Sequence, residues 1–206
     1  HLQTVEPLIE QAIADRKMPG CVLVVGRRGG IGWQKAYGHR SVAPDRIAMT
    51  TDTIFDLASL TKVIATATLA MQAVDAGLVT LDTRIAAIEP RWSAPDRPDV
   101  TLRHLLDHSS GLPAHVKLYE SLGDIDAAVA RIAATPLAFA PGTRAEYSDL
   151  GFILLGALLE RRLGRTLDHA FAPIAARLEG PLTYRPPEAW HARIAPTEVD
   201  PWRGRL

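Results

Sequence analysis

Ser59-Leu60-Thr61-Lys62-Val63-Ile64-Ala65-Thr66-Ala67-Thr68-Leu69-Ala70-Met71 sets a lysine one turn after a serine in an otherwise almost wholly apolar segment. Val63, Ile64, Ala67, Leu69, Ala70, Met71 and Val74 put apolar side chains nearly all round a helix predicted over residues 59–76, and such a helix is normally central and buried. Lys62 then lies in or beside the interior, three positions from Ser59 and on the same face. Burial disfavours the ammonium, and the positive end of the helix dipole disfavours it again, so the affinity of Lys62 for protons is expected to fall. An amine that sheds its proton can serve as a base to the Ser59 hydroxyl, and the helix N-terminus offers a backbone donor to a developing oxyanion. The structural alternative is a Ser59 that caps the helix and a Lys62 that snorkels to solvent. Lysine is scarce, however, confined to Lys17, Lys35, Lys62 and Lys117, so one placed in this segment points to chemistry.

Downstream, Tyr147-Ser148-Asp149 follows a turn at Pro141-Gly142 and precedes an apolar helix running through Ile153, Leu154, Leu158 and Leu159. Ser148 or Asp149 suits a helix N-cap, and Tyr147 could be a half-buried packing residue. The phenol, set against Lys62, could also relay a proton between the Ser59 hydroxyl and a leaving group. Between these segments lies Leu105-Leu106-Asp107-His108-Ser109-Ser110-Gly111-Leu112. His104 and His108 have helical i, i+4 spacing, but a metal site lacks the glutamate of HExxH and a third ligand. Histidines satisfied at a helix-to-turn junction are the better expectation, and the metal ligands are taken as none.

The remaining pattern supplies the surroundings. Val5, Leu8, Ile9, Ala12 and Ile13 predict an amphipathic helix over residues 2–16. A β-branched run at 21–27, a turn at Gly29-Gly30 and an alternating run at 31–37 predict a hairpin, followed by a polar loop over 38–52. Further helices are expected over 102–107, 125–133, 150–163 and 167–178, with Gly77, Gly111 and Gly164 near their C-termini. A lone hairpin is marginal in water, so the sheet is expected to be completed by polypeptide absent from this chain. The chain of 206 residues carries 23 basic and 23 acidic side chains, without the electrostatic footprint that nucleic acid or an anionic membrane would need. No apolar run is long enough to cross a bilayer, so no transmembrane segment is expected. Cys21, the single cysteine, reads as a buried structural thiol.

In this order and spacing, Ser59-Leu60-Thr61-Lys62, the segment from Leu105 to Leu112, and Tyr147-Ser148-Asp149 resemble the serine β-lactamase-like superfamily of class C β-lactamases, DD-peptidases and related esterases. The resemblance implies an α+β fold, with helices packed on an antiparallel sheet beside an all-α lobe. Residues 1–50 would be the N-terminal helix and hairpin, 51–180 the mainly helical lobe, and 181–206 a connection back toward missing strands. It makes Ser59 the nucleophile, Lys62 its base partner and Tyr147 the tyrosine of the second motif, with Asp149 contacting substrate. The implied activity is hydrolysis of an ester, β-lactam or D-amino-acid peptide through an acyl-enzyme, with no metal or organic cofactor. A catalytically silent binding or sensor protein is the rival.

Two departures matter. The family's third motif, Lys-Thr-Gly or His-x-Gly on a later strand, has no counterpart here, so a companion C-terminal fragment of the same protein is expected as partner, besides a small-molecule or peptide substrate. Asp149 stands where β-lactamases of this type usually carry asparagine. An aspartate only accepts hydrogen bonds, and its charge raises the proton affinity of Lys62, which weakens the case for penicillin-like substrates. The resemblance alone suggests a periplasmic or secreted location.

Overall fold

Strand β1 (Gly20–Arg27) pairs antiparallel with β2 (Gly30–Ser41), and β2 pairs antiparallel with the two-residue β3 (Ile47–Ala48), giving the order β1-β2-β3. This computed structural model describes residues 4–93, 97, 99–118, 123–178 and 180–197. The chain divides into two compact units, His1–Leu57 with Arg185–Leu206, and Ala58–Tyr184.

In the first unit the hairpin turn is Arg28-Gly29, both at positive φ (52° and 78°), one residue earlier than the Gly29-Gly30 turn expected. Two consecutive positive φ values match the twist of the flanking strands. Gly38, at φ 68°, has no room for a side chain, because a Cβ there would lie 2.4 Å from the Pro19 carbonyl oxygen. The loop expected over 38–52 is partly sheet: β2 runs on to Ser41, and β3 is too short for its alternation to register in sequence. Helix α1 (Glu6–Ala14) has no fully buried residue, and Leu8 is 69% exposed. It is tied to β2 through Glu6, whose carboxylate accepts from Lys35 and, at 2.9 Å, from the Tyr37 hydroxyl. The returning segment carries α7 (Glu188–His191) and a parallel bridge from Ile194 to Ile54.

The second unit is helical. A π-helical turn over Lys62–Ala67 runs into α2 (Thr68–Asp75), followed by α3 (Leu102–Leu106), α4 (Ile125–Ala134), α5 (Asp149–Leu163) and α6 (Leu167–Ala175). The central element is α5 and not the segment over 59–76. Leu150, Leu154, Leu155, Leu158 and Leu159 of α5 are essentially inaccessible, whereas Leu60, Val63 and Met71 are 56%, 59% and 70% exposed. One face of the earlier helix, with Ala65, Leu69, Ala70 and Ala73, does enter the core beside Ile85, Trp92, Leu102, Leu105 and Ile132. Gly164, left-handed at φ 66°, ends α5. Among the described residues no helix is long and apolar enough to cross a membrane.

A buried carboxylate clamps this unit. Glu89 is 1% exposed and accepts from Arg91 Nε at 2.7 Å, Arg91 Nη2 at 2.9 Å and Arg161 of α5. Asp126 of α4 lies 3.1 Å from Arg161 and 3.3 Å from Arg91. Arg91 above all, and then Arg161, hold the Glu89 carboxyl down to about 2 from its ordinary 4.5. A depressed carboxyl stabilises the fold fully above its unfolded value and loses that contribution as pH falls through its folded value. Glu89→Gln is therefore expected to cost about 3–5 kcal/mol in urea unfolding at neutral pH, because two guanidinium groups lose their buried counter-charge and keep only the exposed Asp126. The gap to wild type should close as pH drops from 4.5 toward about 2.

Candidate active site

Ser59 stands immediately before the first helical residue of its segment, Leu60. Ala58 precedes it at φ 44°, a left-handed conformation that a residue with a Cβ adopts only where its surroundings impose it. The Ser59 hydroxyl points at Lys62, whose Nζ donates to Ser59 Oγ at 2.9 Å. The Lys62 side chain is turned inward, 18% exposed, and does not snorkel. Its Nζ also lies 2.9 Å from Asp149 Oδ1 and 5.1 Å from the centroid of the Tyr147 ring.

The loop carrying Tyr147 is fixed by the start of α5. Ser148 is the N-cap: its Oγ accepts from the Gly151 amide at 3.3 Å and donates to the Pro113 carbonyl at 2.7 Å. The Asp149 amide donates to the Ala114 carbonyl at 2.9 Å, so residues 148 and 149 are strapped to 113 and 114. Asp149 occupies the first turn of α5, where the helix dipole favours a negative charge. Tyr147 is half exposed, and its phenol interacts with both Lys62 and Ser59. The four residues singled out in sequence, Ser59, Lys62, Tyr147 and Asp149, thus meet in one cluster.

The charge state of Lys62 reverses the expectation from burial alone. Burial is the largest single influence and pulls its pKa down, but hydrogen bonds to Tyr147 and Asp149, with the charge of Asp149, outweigh it. The net shift is upward, so Lys62 is an ammonium at neutral pH. The same contacts act oppositely on their partners. Lys62, and next Ser59, pull the Tyr147 phenol below its ordinary value. Lys62 foremost holds the Asp149 carboxyl low, opposed by burial and aided by His115.

One histidine gains a role that sequence did not assign. His115 Nδ1 lies 3.4 Å from Asp149 Oδ2, leaving one carboxylate oxygen toward Lys62 and the other toward His115. His115 falls outside the motifs, and no spacing signal marks it. His104 and His108 do not share a helix face, since α3 ends at Leu106 and His108 is left-handed at φ 60°. Both occupy the junction: His104 Nδ1 accepts from the Thr101 amide at 3.2 Å, and His108 Nδ1 from the Ser148 amide at 3.1 Å.

The model of the family described as Beta-lactamase matches residues 5–198. Esterase EstB of Burkholderia gladioli is 34% identical over 191 residues, covering 84% of this chain and 48% of that protein. Penicillin-binding protein 4 of Amycolatopsis lactamdurans is 34% identical over 197 residues, covering 88% of this chain and 49% of that protein. The crystal structure of a class C beta lactamase from Rhodobacter sphaeroides matches with a TM-score of 0.77 at 28% identity, over 94% of this chain and 56% of that one. The chain spans about half the length of the curated relatives it matches.

Proposed function

The chain belongs to the Beta-lactamase family and has its α+β fold, and from that premise we propose that it carries the acylating residues of a serine hydrolase acting on esters. The observation that carries this is the Lys62 Nζ to Ser59 Oγ hydrogen bond of 2.9 Å, inside a cluster whose third member is a phenol of lowered pKa. Ser59 Oγ attacks the substrate carbonyl carbon, and its proton passes to Tyr147 Oη in its ionised form, which the Lys62 ammonium favours. The tetrahedral intermediate collapses, the carbon–oxygen bond to the leaving alkoxide breaks, and Tyr147 returns the proton to it. Water then attacks the acyl-Ser59 ester, giving its proton to Tyr147, and the acid leaves as Ser59 takes the proton back. Lys62 keeps its charge throughout and makes the phenol acidic enough to cycle.

Asp149 favours an ester over a β-lactam. An asparagine amide could donate to a substrate amide carbonyl, whereas an ionised carboxylate meets that oxygen with a lone pair and no proton. The likeness to Esterase EstB agrees with this choice. The complete enzyme is expected to turn over p-nitrophenyl acetate with kcat/KM at least ~10–100-fold above that for a chromogenic cephalosporin, the discrimination a mismatched polar contact produces. Faster cephalosporin hydrolysis would contradict the ester assignment, and no turnover of either would favour a silent binding protein.

Further polypeptide is proposed to complete the sheet and pocket. Among the described residues β1 has one hydrogen-bonded neighbour, β2, so its other edge is free to take a strand. The relatives named above, about twice as long, have chain enough to supply it.

A further inference from the structure

His108 makes three separate contacts to three consecutive residues of the loop that carries Tyr147. Its carbonyl accepts from the Glu146 amide at 2.9 Å, its ring lies 4.6 Å from the Tyr147 ring, and its Nδ1 accepts from the Ser148 amide at 3.1 Å. Phe152 of α5 also packs against the ring, with ring centroids 5.0 Å apart. The backbone is held at φ 60°, left-handed for a residue with a Cβ, so the local fold sustains some strain to aim this side chain. A histidine whose Nδ1 accepts must carry its one proton on Nε2, because a protonated ring has donors only.

We infer that His108 is the positioning residue of this site: as a neutral imidazole it clasps residues 146–148 and sets the Tyr147 hydroxyl on Ser59 and Lys62, and a second ring proton releases the clasp. The inference rests on the serine-hydrolase reading given above. The charged and titratable groups facing the ring agree with a neutral resting state. Burial foremost, and next the Lys62 ammonium, disfavour a second proton, while Asp107 on the same segment and Asp149 on α5 oppose them more weakly. Tyr147 meets the ring as a tilted neighbour, and the Glu146 carboxylate is turned to Arg144 at 2.8 Å. Protonation would both abolish the acceptor for the Ser148 amide and place a second cation beside Lys62. Tyr147 would lose its position and the site its charge balance together.

The test separates ring stacking, hydrogen bonding and titration. His108→Phe keeps an aromatic face but has no acceptor. His108→Asn tolerates the left-handed backbone, offers Oδ1 near the position of Nδ1 and does not titrate. On p-nitrophenyl acetate, His108→Phe in the complete enzyme is expected to lose about 10–100-fold in kcat with KM nearly unchanged, as a small misplacement of a proton carrier does. His108→Asn should recover most of that loss, and its acid limb should lie at lower pH than the wild-type limb. Wild-type kcat in His108→Phe, or an acid limb at the same pH in all three proteins, would overturn the inference. Nitrogen-15 NMR of histidine-labelled wild-type protein gives a readout independent of activity and of variant folding. It should show His108 at neutral pH with an unprotonated Nδ1 and a proton on Nε2, and a protonated Nδ1 would overturn the inference by itself. Failure of the wild-type enzyme to react with a fluorophosphonate would strike the hydrolase reading instead, with the NMR result still deciding the state of His108.

Discussion

Replacing Ser59 by alanine is expected to lower kcat for p-nitrophenyl acetate by about 10⁴-fold or more, the loss seen when an enzyme's covalent nucleophile is removed. Lys62 Nζ donates to the Ser59 hydroxyl at 2.9 Å, and the Tyr147 phenol interacts with it. Neither neighbour is expected to substitute as nucleophile, because Lys62 is charged and the proposed cycle occupies Tyr147 with the proton. Ser59 is exposed and lies ahead of the helix, so its loss should change stability by no more than about 0.5 kcal/mol. Unfolding in urea should therefore superimpose for the two proteins, and the rate loss is chemical. Retained turnover in Ser59→Ala would remove the serine from the mechanism.

Lys62→Met is expected to cause the second largest loss, about 10²–10⁴-fold in kcat/KM at neutral pH, with a diagnostic change in pH dependence. In the wild-type enzyme activity should rise in two steps, an acid limb with loss of the second His108 proton and a further rise with ionisation of Tyr147, which Lys62 draws below its ordinary value of 10. The descending limb should follow loss of the Lys62 proton, above its ordinary 10.5. Methionine keeps the length and the packing but deletes the charge. The Tyr147 limb should then move to higher pH, so the variant recovers activity on the alkaline side while staying poor at neutrality. An amine that acted as a free base would behave differently, since its removal would depress activity at every pH and leave the Tyr147 limb in place. Comparison of the two profiles thus decides between a lysine that accepts the Ser59 proton and one that holds its own.

Much of the cluster was legible because its members lie close in sequence or at the ends of regular elements. Ser59 and Lys62 are three residues apart, and that spacing alone predicted their contact. A cap at Ser148 or Asp149 followed from residue type and from the apolar run after it, and the structure gives it to Ser148. The charge of Lys62 was not legible, because burial and the Tyr147 and Asp149 contacts oppose each other and only distances decide the sign. Long-range pairings escaped for another reason. His108 reaches Ser148, 40 residues on, and Glu89 reaches Arg161, 72 residues on, and no local pattern encodes either. The burial of the first long helix was overestimated because an all-round apolar pattern cannot say which faces find partners, and Leu60, Val63 and Met71 find few here.

The central claim is that one hydroxyl, Ser59 Oγ, forms the covalent intermediate. Mass spectrometry of the complete enzyme after reaction with a fluorophosphonate tests it most directly. A single adduct, mapped to the peptide containing Ser59 and lost in Ser59→Ala, is the predicted result. An adduct on any other residue, or an equal mass shift in the alanine variant, would contradict the account.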